Sequence, residues 1–305
     1  MSSFGTLKKD WKIGTLLVDP SAFSGLKVAI FGGTGGLGQA ISQSLLHKGA
    51  KVTVVGRSLR DSPHPHRLFV SADLSSLVNA RDVARDLAAE TYDAVLLTHG
   101  IFAGLSREIT AEGLEKDLAT STMSRWVIVR EMATMLCQGR SSDRPKPRLF
   151  VWGFPGGERS LDFTDIESTR NYRWQTAHSN TVVFNEALVR DTASRFPEIN
   201  TFGMNPGVIK TNIMSGVLGQ SSLAQRFQQA LVGLLFQSAE TYAEKVASLM
   251  VHRELEDRSG SLFNRHAQPI EPNPWLVEDD HCARVVEAAE ALSARVLSKA
   301  ATRPV

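Results

Sequence analysis

The stretch Gly32-Gly33-Thr34-Gly35-Gly36-Leu37-Gly38 joins an apolar run, Val28–Phe31, to a helical pattern over Gln39–His47. Glycines in this arrangement allow a sharp turn and let backbone N–H groups approach a ligand, and the positive end of the following helix favours negative charge. A dinucleotide pyrophosphate suits that chemistry. The stretch reads as G-x-G-x-x-G through Gly33, Gly35 and Gly38, and as G-x-x-x-G-x-G through Gly32, Gly36 and Gly38. A place between a strand and a helix is what separates such a fingerprint from a packing turn. The residues expected to hold the cofactor here are Gly32, Thr34, Gly35, Gly36, Leu37 and Gly38.

The end of the second apolar run selects the dinucleotide. Val54-Val55-Gly56-Arg57-Ser58 has no Asp or Glu for a ribose 2′-hydroxyl, whereas Arg57 and Ser58 suit a 2′-phosphate, with Arg60 nearby. The expected cofactor is therefore NADP(H) rather than NAD(H). Asp73-Leu74, after the third run, is placed to meet an adenine amino group, or Asp73 is the N-cap of the next helix.

These residues need a scaffold, and the hydrophobic pattern supplies one. Candidate strands are Val28–Phe31, Val52–Val55, Arg67–Val70, Ala94–Thr98, Arg148–Trp152, Asn200–Asn205 and Ser261–Asn264. Several lack alternation, as strands covered on both faces do. Helical stretches are expected near 36–48, 76–90, 110–137, 174–195 and 238–252. Repeated β-α order predicts a single-domain α/β fold, a doubly wound parallel sheet, over 25–268, after an N-terminal extension 1–24. Two parts break the alternation. Segment 212–237 carries Leu223, Phe227, Leu231 and Leu234 at helical spacing, and is expected either to pack on the sheet or to act as a lid over an apolar substrate. The tail 269–305 holds a non-helical Pro-rich stretch (Pro269, Pro272, Pro274) and then an amphipathic helix, Asp280–Lys299.

Lys plus Arg number 34 against 32 Asp plus Glu, a balance that argues against a nucleic-acid partner. Cys137 and Cys282 lack partners at metal spacing, so neither a metal nor a disulfide framework is expected. No apolar run reaches membrane-spanning length, and residues 1–20 lack the apolar stretch of a signal peptide, so a cytoplasmic protein without an integral membrane segment is expected.

Over residues 25–265 the chain resembles the short-chain dehydrogenase/reductase family. The matching elements are Gly32/Gly36/Gly38, Asp73-Leu74, the fourth strand ending in Gly100, and Asn205-Pro206-Gly207-Val208-Ile209-Lys210-Thr211. The resemblance implies that Gly100 borders the cofactor and that Val208 and Thr211 hold the nicotinamide carboxamide. Glu112-Gly113-Leu114-Glu115, the Pro-rich tail and the C-terminal helix look most like the retinol-dehydrogenase-like branch. It also implies a homodimer contact through the helix 110–137.

The catalytic motif departs from that pattern. The family's Asn falls on Ser121, its Ser within Trp152-Gly153-Phe154, its Tyr on Trp174 and its Lys on His178, while its Asn-Asn-Ala-Gly reads Leu97-Thr98-His99-Gly100. Trp174 has an N–H donor but no proton to deliver near neutral pH, and its ring suits stacking on the nicotinamide or a flat substrate. His178, one turn on and on the same face, titrates near neutrality and can bond ribose hydroxyls, which makes it the leading general acid/base. Tyr172, near the helix start, is the alternative proton donor. Arg125, four residues past Ser121, either binds an anionic substrate group or serves a salt bridge or the surface. Three functions follow: an NADP(H)-dependent oxidoreductase with a rearranged proton relay acting on a carbonyl or alcohol of a small apolar molecule, a non-redox isomerase, lyase or cyclase using His178, Tyr172 and Trp174, or a catalytically silent NADP(H)-binding protein.

Overall fold

The computed structural model describes residues 5–16, 18–88, 91–102, 104–138, 140–141, 144–207 and 238–301. Val28, Ala29, Ile30 and Phe31 have no solvent exposure, nor do Val95, Leu96 and Leu97. Runs without alternation are thus strands covered on both faces. The strands are β1 (Lys27–Phe31), β2 (Lys51–Gly56), β3 (Arg67–Ser71), β4 (Ala94–Leu97), β5 (Arg148–Trp152), β6 (Asn200–Met204), β7 (Leu262–Phe263) and β8 (Pro269–Ile270). They form one sheet in the order β3-β2-β1-β4-β5-β6-β7-β8. All pairs are parallel up to β7, and β8 adds an antiparallel edge. This is the expected doubly wound α/β sheet. Its strand order reverses between β1 and β4, where the carboxyl ends part and leave a crevice.

The helices are α1 (Gly36–His47), α2 (Leu77–Ala88), α3 (Lys116–Leu118), α4 (Ser124–Leu136), α5 (Trp174–Arg195), α6 (Ala239–Met250), α7 (Pro274–Val277) and α8 (His281–Ala301). Ile41 and Leu45 of α1 and Val246 and Leu249 of α6 pack on one side of the sheet with Val28 and Ile30. Leu77 of α2, Trp126 of α4, Phe184 of α5 and Val285 of α8 pack on the other with Phe31, Val95 and Leu149. Among the described residues no helix is long and apolar enough to cross a membrane.

Two sequence expectations need correction. The helix placed at 110–137 begins only at Lys116. Gly113 takes a φ of 84°, Thr110 N–H donates to the Leu114 carbonyl at 2.8 Å, and Ile109 bridges Glu115, so residues 110–115 form a closed turn. The Glu115 carboxylate then caps the helix by accepting from the Asp117 and Leu118 N–H groups at 3.1 and 2.7 Å. Second, the Pro-rich stretch is partly regular. Pro274 stands at the first turn of α7, where its missing N–H costs nothing, and Pro269 sits on an edge strand.

The helix α4 packs largely within its own chain. Of residues 116–136 only Thr134 and Met135 are exposed. Arg130 is paired with Asp191 of α5 at 2.5 Å and with Glu290 of α8 at 2.7 Å, and Glu131 takes Arg85 of α2.

The first described residues close the far edge of the sheet. Glu271 N–H donates to the Thr6 carbonyl at 2.7 Å, Lys8 N–H to the Pro269 carbonyl at 3.1 Å, and Trp11 packs edge-on against Phe263. Because α8 fills the face over α4 and α5, Leu292→Ala is expected to lower the unfolding free energy by about 2 kcal/mol or more. Urea denaturation reads this as a lower midpoint, and an unchanged midpoint would mean that α8 is not part of the core.

Candidate active site

The crevice between β1 and β4 opens into a cleft of about 610 Å³. Its floor is the glycine turn, and the close contacts explain the glycines. A Cβ on Gly32, which has a φ of 91°, would lie 2.5 Å from the His99 nitrogen. On Gly38 it would lie 2.4 Å from both the Gly32 carbonyl oxygen and Thr98 Oγ1. Gly35 is different: a Cβ there meets nothing within 4 Å. It precedes α1 and supplies no side-chain cap, so the first amides of α1 are left for another acceptor. Thr34, Gly36 and Leu37 line the same space. Open room at Gly35, next to an uncapped helix start, fits a pyrophosphate.

Arg57 follows β2, lines the cleft and is exposed, with no ion pair among the described residues. The nearby acid is already taken: Asp61 accepts from Arg67 Nη1 at 3.0 Å and from Gln39. The cation at Arg57 is therefore left for a ligand. Ser58 and Arg60 are exposed beside it and outside the cleft lining. Asp73 and Leu74 line the cleft. Asp73 is not the N-cap of α2, which corrects one of its two readings. Its Oδ1 accepts from the N–H and hydroxyl of Ser75 at 3.0 and 2.8 Å. Ser76 Oγ and the Glu112 carboxylate hold the α2 start, with Leu77 N–H on Glu112 at 2.7 Å. Gly100, Pro206 and Gly207 complete that wall. Val208, Thr211 and the segment 212–237 lie outside the described residues.

Beneath the cleft lies a buried cation. Arg125 is neither a surface residue nor part of a surface salt bridge, against the sequence expectation; it is 2% exposed. Its Nη1 donates to the Trp152 carbonyl at 2.6 Å and to Asn185 Oδ1 at 3.1 Å, and its Nη2 to the His99 carbonyl. Burial pulls its pKa down to about 9, against the pull of Asp117. His99 is buried too, and burial followed by the Arg125 charge depresses its basicity well below the ordinary value. Neutral His99 presents Nδ1 to the Phe31 carbonyl at 3.3 Å and Nε2 to Ser124 Oγ at 3.0 Å. It is a structural residue.

The same network explains the missing serine. A Cβ on Gly153 would lie 2.3 Å from Asn185 Cβ. Asn185 fills that space and donates to the Ser121 and Thr181 carbonyls at 3.0 and 2.8 Å. Phe154 follows with a φ of 53°, a strained left-handed conformation on the cleft wall that costs about 1–3 kcal/mol.

The expected catalytic residues separate into two groups. His178, on the first turns of α5, lines the cleft. Its Nδ1 is 2.9 Å from Asp117 Oδ2, Phe102 lies against its ring at 4.0 Å, and Nε2 has no partner among the described residues. Ser121 also lines the cleft, but its hydroxyl donates to Asp117 Oδ1 at 2.5 Å and accepts from Ile101 N–H at 2.9 Å. Ser121 thus supports Asp117. It sits in a π-helical segment, Ala119–Met123, between α3 and α4, a departure often found at functional sites.

Trp174 and Tyr172 stand apart. Trp174 opens α5 and meets Phe102 edge-on at 6.0 Å, outside the cleft lining. Tyr172 donates its hydroxyl to the Gly104 carbonyl at 3.2 Å. Burial and then Glu115, Asp117 and Glu108 push its pKa up to about 12, and it does not line the cleft. Asp117 and Asn185 are the residues sequence reading missed. The signal for Asp117 was its place four residues before Ser121, on one helix face.

No family model matches the chain. An uncharacterised oxidoreductase of Saccharomyces cerevisiae is 40% identical over 261 residues, covering 84% of each chain. Human retinol dehydrogenase 14 is 23% identical over 225 residues, covering 64% of this chain and 65% of that protein. The crystal structure of a short-chain dehydrogenase from Salmonella enterica serovar Typhi superposes with a TM-score of 0.58 at 13% identity, covering 82% of this chain and 99% of the other.

Restoring the missing hydroxyl by Gly153→Ser should overpack the Asn185 contact and cost about 1–3 kcal/mol. A fall in the thermal midpoint checks this, and a variant as stable as the parent would show that Asn185 has room to move.

Proposed function

The chain belongs to the short-chain dehydrogenase/reductase family, and on that premise we propose that it is an NADP(H)-dependent oxidoreductase acting on a carbonyl or alcohol of a small apolar molecule, with His178 as its proton-handling group. One observation carries the reading: the cleft that ends the glycine turn also holds an imidazole whose Nδ1 is engaged and whose Nε2 is not.

The dinucleotide, when bound, supplies the site that gives or takes the hydride. The chain's own residues do the rest. The α1 amides beyond Gly35 and the turn at Gly32–Gly38 bind the pyrophosphate, and Asp73 and Leu74 border the adenosine. Arg57 and Ser58 take the 2′-phosphate; support comes from the absence of an acid at the end of β2 and from the engagement of Asp61 by Arg67. The family resemblance alone assigns Val208 and Thr211 to the carboxamide. In reduction, His178 Nε2 would give a proton to the substrate oxygen. In oxidation it takes that proton back. Ile101, Phe102, Phe154 and Val182 give the cleft an apolar wall, which supports an apolar substrate. A relative named for retinol is consistent with that class.

Two outcomes check this reading. With NADPH and a panel of apolar aldehydes and ketones, loss of nicotinamide absorbance is expected, and His178→Gln should lower kcat by about a hundredfold or more while NADPH still binds. No turnover by a protein that binds NADPH tightly would refute the redox assignment and favour a silent binder; product formed without NADPH would favour the non-redox enzyme. Arg57→Ala should weaken NADPH binding about tenfold and leave NADH binding nearly unchanged, as measured by fluorescence titration.

A further inference from the structure

We infer that Asp117 is the positioning residue of the active site: it fixes the His178 imidazole with the proton on Nδ1 and leaves Nε2 for the substrate. The inference rests on the assignment of His178 above.

The geometry is one-sided. Asp117 is 1% exposed, and its two oxygens are split between partners. Oδ1 takes the Ser121 hydroxyl at 2.5 Å, and Oδ2 lies 2.9 Å from His178 Nδ1. An ionised carboxylate only accepts, so the proton shared with the imidazole belongs to Nδ1. A neutral His178 held this way must present a bare Nε2, and a charged one must present an Nε2–H. Those are the two states a group exchanging a proton with substrate oxygen needs. Ser121, whose side chain also accepts from Ile101 N–H, keeps the carboxylate from turning.

Burying a carboxylate is costly unless it is paired and hydrogen-bonded. Asp117 meets that requirement with Ser121, His178 and the field of the Arg125 guanidinium beneath it. The other groups around the pair are Lys116, whose ammonium is held by Glu108 at 2.6 Å, buried Glu115, Arg107, His99 and Tyr172. Glu115 is raised by burial and spends both oxygens on the helix cap, and His99 is neutral, so neither replaces Asp117 at the imidazole. The Phe102 ring closes one face of His178 against water.

The test uses the whole chain and three variants, Asp117→Asn, Asp117→Glu and His178→Gln. Long-range 15N NMR of the wild-type imidazoles should show neutral His178 in the Nδ1–H form; an Nε2–H form there overturns the inference without any variant. Asp117→Asn should weaken that tautomer preference and reduce kcat by about tenfold or more, with the NADPH dissociation constant unchanged. Asp117→Glu should recover part of both. A kcat and a His178 tautomer that stay at wild-type values in Asp117→Asn overturn the inference. If His178→Gln instead retains the wild-type rate, the assignment of His178 fails, while the tautomer measurement still reports whether Asp117 holds the ring.

Discussion

The guanidinium of Arg125 is buried among acceptors that carry no formal charge: the carbonyls that follow β4 and end β5, and the amide of Asn185 on α5. A cation so placed loses its hydration and recovers it through oriented dipoles, which works only if every dipole stays where it is. That requirement ties together the carboxyl ends of two neighbouring strands and the first half of the longest inner helix. Gly100 must be small because a Cβ there would sit 3.1 Å from Arg125 Nη2. Gly153 must be small because Asn185, held by the same cation, fills the space beside it. His99 stays neutral beside the charge, and Asp117 answers it across the cleft floor. The cleft floor is organised around one buried positive charge.

Much of the frame was legible because it follows from local rules. A turn that must pass under its own strand leaves only glycine at Gly32 and Gly38, and strands covered on both faces show as unbroken apolar runs. The two-position comparison at Trp174 and His178 also placed them on one helix, with His178 in the cleft. What sequence could not supply was the partner of each polar side chain. Asp117 and His178 are 61 residues apart, and so are Arg130 and Asp191. Such pairs exist only after the helices dock. For the same reason Arg125 read as a surface cation: residue type was visible and surroundings were not. The start of the helix was misplaced for a local reason, since Gly113 and the cap at Glu115 outweigh the apolar periodicity of 110–115.

The C-terminal helix changes what the inner helices face. It lays Val285, Ala289 and Val296 into the core against α2, α4 and α5, so that the outer sides of those helices become interior. The ion pairs of Arg130 with Asp191 and Glu290 lie at the margin of that contact, half-buried, where they orient the helix more than they stabilise it.

The arm at residues 6–11 has a consequence for how the chain is made. Its hydrogen bonds go to Pro269 and Glu271, and its tryptophan packs on Phe263, so its partners are more than 250 residues downstream. During synthesis at about 5–20 residues per second, residues 6–11 have nowhere to dock until β8 has followed. Loop-closure entropy delays the contact further. This edge of the sheet can therefore be sealed only after β8 is made, and a nascent chain stalled short of β8 would carry a Leu7–Trp11 segment whose strand partner is still unmade.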